Sequence, residues 1–276
     1  VGGTFTPDIT KQPTTLSGGT ATAQLNVDAL APGLKQPSVW KANIAFDTEL
    51  PWYGLVLGVE YMNTKVKDGI YYRNLNLGAP TKIGTDGREL YYSDAAYDTR
   101  CWSSSGTLTT TGATCGLTSA HAAARTKSGS NIGFNNVLVA TATDKGGSNL
   151  GTVSLSRPMT NGIGWSVSYT YTDAKEVSGL TSSTSGSNFS GRSVFNPNEE
   201  VNANSSYLVK DRINALVNFQ KRFFGSYKTT FGMFYEGRTG KPYSWTINND
   251  LNGDGLGGND LMYIPSAPGS GQVVFL

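Results

Sequence analysis

The amino-acid sequence predicts an all-β chain, a segment of an antiparallel transmembrane β-barrel built from three long hairpins with long extracellular loops. Three observations predict it. Apolar and polar residues alternate with period two over runs of about ten residues or more, long enough to cross a bilayer with tilt. The connections alternate between short and long, as they do when turns face one side of an outer membrane and loops the other. Aromatic residues collect at both ends of the apolar runs, where rings with an apolar body and a polar edge suit the two membrane interfaces.

Composition agrees with strands and turns. The 276 residues include 34 Gly, 14 Tyr, 11 Phe and 5 Trp, and charged residues make up only 15%. Glycine supplies turns and aromatics favour strands. Net charge is +2, from 22 basic and 20 acidic residues, and the basic residues do not cluster. No field exists to draw in nucleic acid. No window of 18 apolar residues is present, so no transmembrane helix is expected.

The first strand covers 38–48. Trp40, Ala42, Ile44 and Phe46 share one face, and Lys41, Asn43 and Asp47 the other. The second covers 53–66, where Leu55, Leu57, Val59 and Tyr61 oppose Gly58, Glu60 and Met62, with Val56 as an exception. Glu49-Leu50-Pro51-Trp52 joins them. Residues 67–147 form the first long loop. Within it, FNNVLVATAT (134–143) also reads as a strand. Counting it as membrane-spanning would break the alternation of short and long connections. It is therefore assigned to the loop, as an edge strand or a protruding hairpin.

The second hairpin covers 148–158 and 163–176, joined at Met159-Thr160-Asn161-Gly162. Its second strand is the clearest: Trp165, Val167, Tyr169 and Tyr171 oppose Ser166, Ser168, Thr170 and Thr172. The loop 177–204 follows, with a Ser/Thr-rich part that reads as solvated surface. The third hairpin covers 205–223 and 227–246, joined at Phe224-Gly225-Ser226, and the loop 247–262 closes the set. No segment carries a convincing helical period; the best candidate, 121–126, is short.

A soluble β-sandwich alternates in the same way. Strand length, the parity of the connections and the two aromatic zones favour the barrel. Six spanning strands are fewer than the roughly eight of the smallest common membrane barrels. An open sheet would leave unpaired backbone groups in lipid, at several kcal/mol each. The segment is therefore expected to be part of a larger barrel or to assemble with other chains.

Candidate sites are few. Asp250-x-Asn252-x-Asp254-Gly255 is the opening of an EF-hand calcium loop. The twelfth position, ordinarily a bidentate Glu, is Leu261, and Asp260 stands one place early. Asp250, Asn252, Asp254 and Asp260 are the candidate Ca²⁺ ligands, with backbone carbonyls completing the shell. The alternative is an Asn/Asp/Gly turn cluster that bonds its own backbone. Cys101 and Cys115 form a candidate disulfide, closing a small loop in an oxidising compartment. His121 is the single histidine, in a polar loop, and no G-x-S-x-G elbow, Walker A pattern or zinc set accompanies it. The chain is not expected to be an enzyme. Glu60, Glu236, Lys41, Lys228 and Arg212 lie on the polar face, as a wet wall or as contacts to a plug.

Several stretches resemble one family. GWSVSYTYTDAKEVSG (164–179), Arg157-Pro158 followed by Asn161-Gly162, and above all GRTGKPYSWTINNDLNGDGLGGNDLMYIP (237–265) are similar to the barrel of Oar-like TonB-dependent outer-membrane receptors. DTELPWYGLVLGVEYMNTKV (47–66) and YYRNLNLG (71–78) fit the same family. The resemblance spans about residues 30 to 268. It implies a 22-stranded barrel in the outer membrane of a Gram-negative bacterium. It implies outer-membrane lipid, the remaining barrel strands and a plug as partners, the TonB complex reached through that plug, and an extracellular ligand of unknown identity. No plug or TonB box is visible in these residues, so the likeness is to the barrel portion. The expected function is ligand binding at the extracellular loops and uptake through the lumen. The alternative is a non-transporting, adhesin-like surface protein with calcium-stabilised loops.

Overall fold

The computed structural model describes residues 25–92, 97–98, 134–267 and 270–271. Six strands form a continuous antiparallel wall in chain order. They are β2 (Ser38–Glu49), β3 (Val56–Asn74), β7 (Gly146–Thr160), β8 (Ile163–Glu176), β10 (Asp211–Phe224) and β11 (Tyr227–Arg238). The remaining strands are short or lie above the wall. These are β1 (Leu25–Leu30), β4 (Lys82–Ile83), β5 (Glu89–Leu90), β6 (Phe134–Thr143), β9 (Ala203–Asn204), β12 (Thr246–Ile247) and β13 (Asp260–Leu261).

The register turns the sequence alternation into two faces. Phe46, Val59, Val153, Tyr169 and Ile213 stand side by side across five strands, one residue from each. The next apolar row runs through Leu57, Leu155, Val167, Ala215 and Tyr235. One residue away on the opposite face, Ala45, Glu60, Thr152, Thr170, Arg212 and Arg238 form a mainly polar row. Nothing among the described residues covers the apolar face: Ile44 is 70% exposed, Phe231 58% and Met233 65%. A continuous exposed apolar belt of this extent marks a membrane-contacting surface. At about 3.3 Å per residue and a tilt near 45°, the 14 residues of β10 rise roughly 33 Å, matching a hydrocarbon core of about 30 Å.

Short turns close the lower end. Asn161 and Gly162 both have positive φ (52° and 84°), the conformation of a two-residue hairpin turn whose twist matches its flanking strands. Aromatics gather here, with Tyr53, Phe224 and Tyr227 exposed and Phe219, Phe223 and Phe231 in mutual contact at centroid distances of 6.3–6.4 Å.

The upper end departs from expectation in four ways. First, β3 does not stop at 66; it continues to Asn74, into the stretch read as loop. The reason is β6, which continues the register of β7 along β3. Lys65 pairs with Gly147 and Gly69 with Thr143. The strand within the first loop thus extends the sheet above the membrane, and β1 adds to it in parallel. Second, the third hairpin is shorter than 205–223 and 227–246. Its strands begin at Asp211 and end at Arg238, with Gly240 and Pro242 following where the ladder stops. Third, a short helix, α1 (Ser185–Ser190), occurs where no helical period exists; Thr184 caps it by accepting from the Ser187 N–H. Fourth, 177–193 is not simply solvated surface, since Val177, Asn188 and Phe189 are buried.

The buried apolar side chains of the described residues all lie at this upper end: Tyr71, Leu77, Tyr91, Leu138, Ala140, Val177, Phe189, Val194 and Leu208. The wall has no core of its own. Its apolar side chains face outward, and the loops fold into a separate crown.

A charge on the apolar face should therefore be far costlier than one on its neighbour. Val153→Lys is expected to destabilise the folded wall in bilayers by about 2–4 kcal/mol, while Thr152→Lys, beside Glu60, should cost less than about 1 kcal/mol. Equilibrium denaturation from lipid vesicles checks the difference.

Candidate functional site

The crown is held by buried polar contacts between segments distant in sequence. Asn74 is fully buried. Its backbone N–H donates to Asn198 Oδ1 at 2.7 Å, and its carbonyl accepts from Asn198 Nδ2 at 3.0 Å. Its own Oδ1 accepts from the N–H groups of Asn76 and Val137, and its Nδ2 donates to Asn136 Oδ1. One side chain thereby ties the top of β3, the turn after it, β6 and the 198 loop together. Thr143 Oγ1 donates to Glu200 Oε1 at 2.6 Å, and Lys145 pairs with the same carboxylate at 3.3 Å.

The 248–260 loop is the densest part. Asp250 accepts from the N–H of Gly253 at 2.7 Å and of Gly255 at 2.8 Å. Asn252 Oδ1 accepts from Asp254 N–H, and Asp254 Oδ1 from Leu256 N–H, each at 2.8 Å. Asn259 Nδ2 donates to Asp254 Oδ2 at 3.3 Å. Asn252, Asp254, Asn259 and Asp260 are all buried. Burial pushes the Asp254 carboxyl up to about 7 against the opposing pull of the Leu256 N–H. Burial likewise raises Asp250 and Asp260 above the ordinary carboxylate range.

The β4–β5 hairpin packs against this loop. Arg88, 1% exposed, meets Asp260 at 3.4 Å and Asp86 at 3.3 Å, donates to the Leu261 carbonyl, and lies 4.6 Å from the Phe195 ring. Tyr91 N–H donates to the Asn252 carbonyl at 2.7 Å, and the Tyr92 hydroxyl donates to the Asp250 carbonyl. Burial is the main cause that raises both tyrosine hydroxyls above their usual value. Gly253 (φ 78°) sits so close to Tyr92 that a Cβ there would come within 2.8 Å of its backbone nitrogen and ring.

The sequence motif thus lands as a single folded loop holding Asp250, Asn252, Asp254 and Asp260. Two features alter its expected composition. Asp260 is committed to Arg88 and to the Leu251 N–H. Asn259, not among the expected ligands, faces Asp254 instead. Among the described residues no group of three or more His, Cys, Asp or Glu stands in position to hold a metal ion. Arg88 escaped the sequence reading because its partner lies 172 residues away. The Asp86-Gly87 pair was the available hairpin signal. Cys101, Cys115 and His121 lie outside the described residues.

On the polar wall, Glu236 lies 3.7 Å from Arg212 and 3.4 Å from Arg238, and Glu60 accepts from Asn43 at 2.7 Å. Beside the crown is a cavity of about 460 Å³ between 176–206 and 242–244. Arg192 borders it, donating to the Glu199 carbonyl at 2.9 Å and lying 5.8 Å from the Tyr71 ring. Burial lowers the Arg192 guanidinium below its ordinary value. Tyr243, 78% exposed, stands at the cavity rim with Trp245 at 5.7 Å, edge to face.

An uncovered apolar wall with a polar reverse face, crowned by folded loops, is the form of an outer-membrane barrel. Residues 2–272 match the family of the outer membrane beta barrel domain. The chain belongs to that family. It is accordingly a protein of the outer membrane of a Gram-negative bacterium, with its exposed apolar face against the lipid. Comparison with curated proteins and with solved structures finds no match. Among the described residues no helix is long and apolar enough to cross a membrane; in this barrel the crossing is made by strands.

Arg88 is the keystone of the crown by geometry. Arg88→Met should leave Asp260 buried without its cation and cost about 3–5 kcal/mol. Arg238→Met, in an exposed ion pair, should cost less than about 1 kcal/mol. Hydrogen-exchange protection of 250–261 is expected to fall in the first variant and hold in the second.

Proposed function

We propose that this chain is barrel wall and crown of a TonB-dependent, Oar-like receptor that captures a ligand at its extracellular loops and passes it through the lumen. The observation that carries the reading is the crown itself. Its loops fold around a buried polar framework and border a cavity of about 460 Å³ with a cation, Arg192, and an exposed aromatic, Tyr243, at its walls. Pre-formed concave sites of this size, with a few placed polar groups, are where small ligands bind. The resemblance of 237–265 to Oar-like receptors supports the same reading, since Tyr243, Trp245 and the 248–260 loop all fall within it.

On this reading the six strands are completed to 22 by further strands, and a plug fills the lumen and carries the contact to TonB. The polar wall around Glu60, Thr152, Thr170 and Arg212 then faces the plug. The test is thiol labelling in intact outer membranes. Thr170→Cys should react slowly with a membrane-impermeant maleimide while a plug covers it, and faster when TonB is energised. Fast labelling that does not depend on the proton-motive force would contradict a plugged transporter and favour the non-transporting surface protein. The parent chain serves as the control for Cys101 and Cys115.

A further inference from the structure

We propose that the 250–259 loop is a calcium site whose side-chain ligands are Asp250, Asn252, Asp254 and Asn259, with Asp260 outside the shell. This does not rest on the transport reading.

Charge comes first. Asp250, Asp254 and Asp260 are gathered in one buried loop, and the one cation that faces them among the described residues, Arg88, reaches Asp260 alone. Backbone N–H groups orient the other two carboxylates but carry no net charge to neutralise them. Buried carboxylates of that kind are stable when paired or when they coordinate a metal.

A separate observation concerns Asn259. It is 3% exposed, and its Oδ1 has no hydrogen-bond partner, although the nitrogen of the same amide lies 3.3 Å from Asp254 Oδ2. The amide that carries this unused buried oxygen is the one that touches Asp254. A buried acceptor without a partner is uncommon, and this one calls for a missing ligand.

The donors select the ion. Two carboxylates and two carboxamides are hard oxygen ligands, which excludes thiolate- and imidazole-seeking metals. Each carboxylate oxygen has two lone pairs, so accepting one N–H leaves one free for a cation. Irregular oxygen donors on a turning loop suit calcium, which tolerates six to eight ligands, over magnesium, which demands an octahedron.

The consequence is mechanical. The Asn252 and Asp250 carbonyls accept from Tyr91 N–H and the Tyr92 hydroxyl. A calcium ion that fixes the loop therefore fixes the β4–β5 hairpin on it. Calcium becomes a fastener of the crown.

The test uses the full chain in detergent, stripped with chelator and titrated with calcium chloride or magnesium chloride alone. Equilibrium dialysis counts bound calcium, and proteinase K cleavage between 248 and 260 is followed by mass spectrometry. One calcium per chain is expected, and cleavage should slow about tenfold at ten times the Kd. D254N and N259A should lose the bound calcium, and D260N should keep it. No calcium bound by the parent chain would overturn the proposal, as would calcium retained in both D254N and N259A. Loss in D260N with retention in N259A would overturn the ligand set. Equal protection by magnesium would overturn the choice of ion. If a variant fails to fold, the parent chain with and without calcium still decides.

Discussion

Inside hydrocarbon no water can replace a missing hydrogen bond. An unpaired backbone N–H or C=O there costs several kcal/mol, so a strand must have a neighbour on each edge wherever it crosses. That constraint accounts for the wall. Each of β3, β7, β8 and β10 is paired on both sides in antiparallel ladders, with register shifts only near the strand ends. With the backbone satisfied, the side chains divide by pleat: one face is left to lipid and the other to a polar interior. The same constraint makes this sheet incomplete as an isolated object, since β2 and β11 each have one free edge in the described residues.

Above the membrane the solvent changes, and so does the construction. Water is available there, loops can turn, and stability must come from burial. The buried apolar side chains and the buried asparagines, arginine and aspartates accordingly appear together in the crown. Asn74 and Arg88 replace ladder hydrogen bonds with side-chain ones, linking segments more than a hundred residues apart. The junction between the two regimes is β3, which begins at the periphery of the lower turns and ends inside the crown at Asn74. A rigid wall strand therefore positions the loop framework that borders the cavity.

The wall was legible because a two-residue period is a local property. Trp165 to Thr172 reads correctly with no knowledge of its neighbours, and the Asn161-Gly162 turn announces its own geometry. The crown was not legible, because its determinants are not local. Nothing in 67–74 tells that β6 waits to extend β3, and nothing in the Ser/Thr-rich 177–193 marks Phe189 as buried. The 250–260 motif lay between these cases. Its turn-forming Asp, Asn and Gly were visible, but the diversion of Asp260 to Arg88 and the approach of Asn259 depend on a hairpin remote in sequence.

Alternate residues of this wall face lipid and interior. Spin labels placed one at a time from 163 to 172 in the membrane-embedded protein test it most directly. Collision with oxygen, which partitions into lipid, should peak at 165, 167, 169 and 171. Collision with a water-soluble nickel chelate should be low at those positions and higher at 166, 168, 170 and 172. Equal accessibility at odd and even positions, or a uniformly aqueous profile, would contradict a membrane wall.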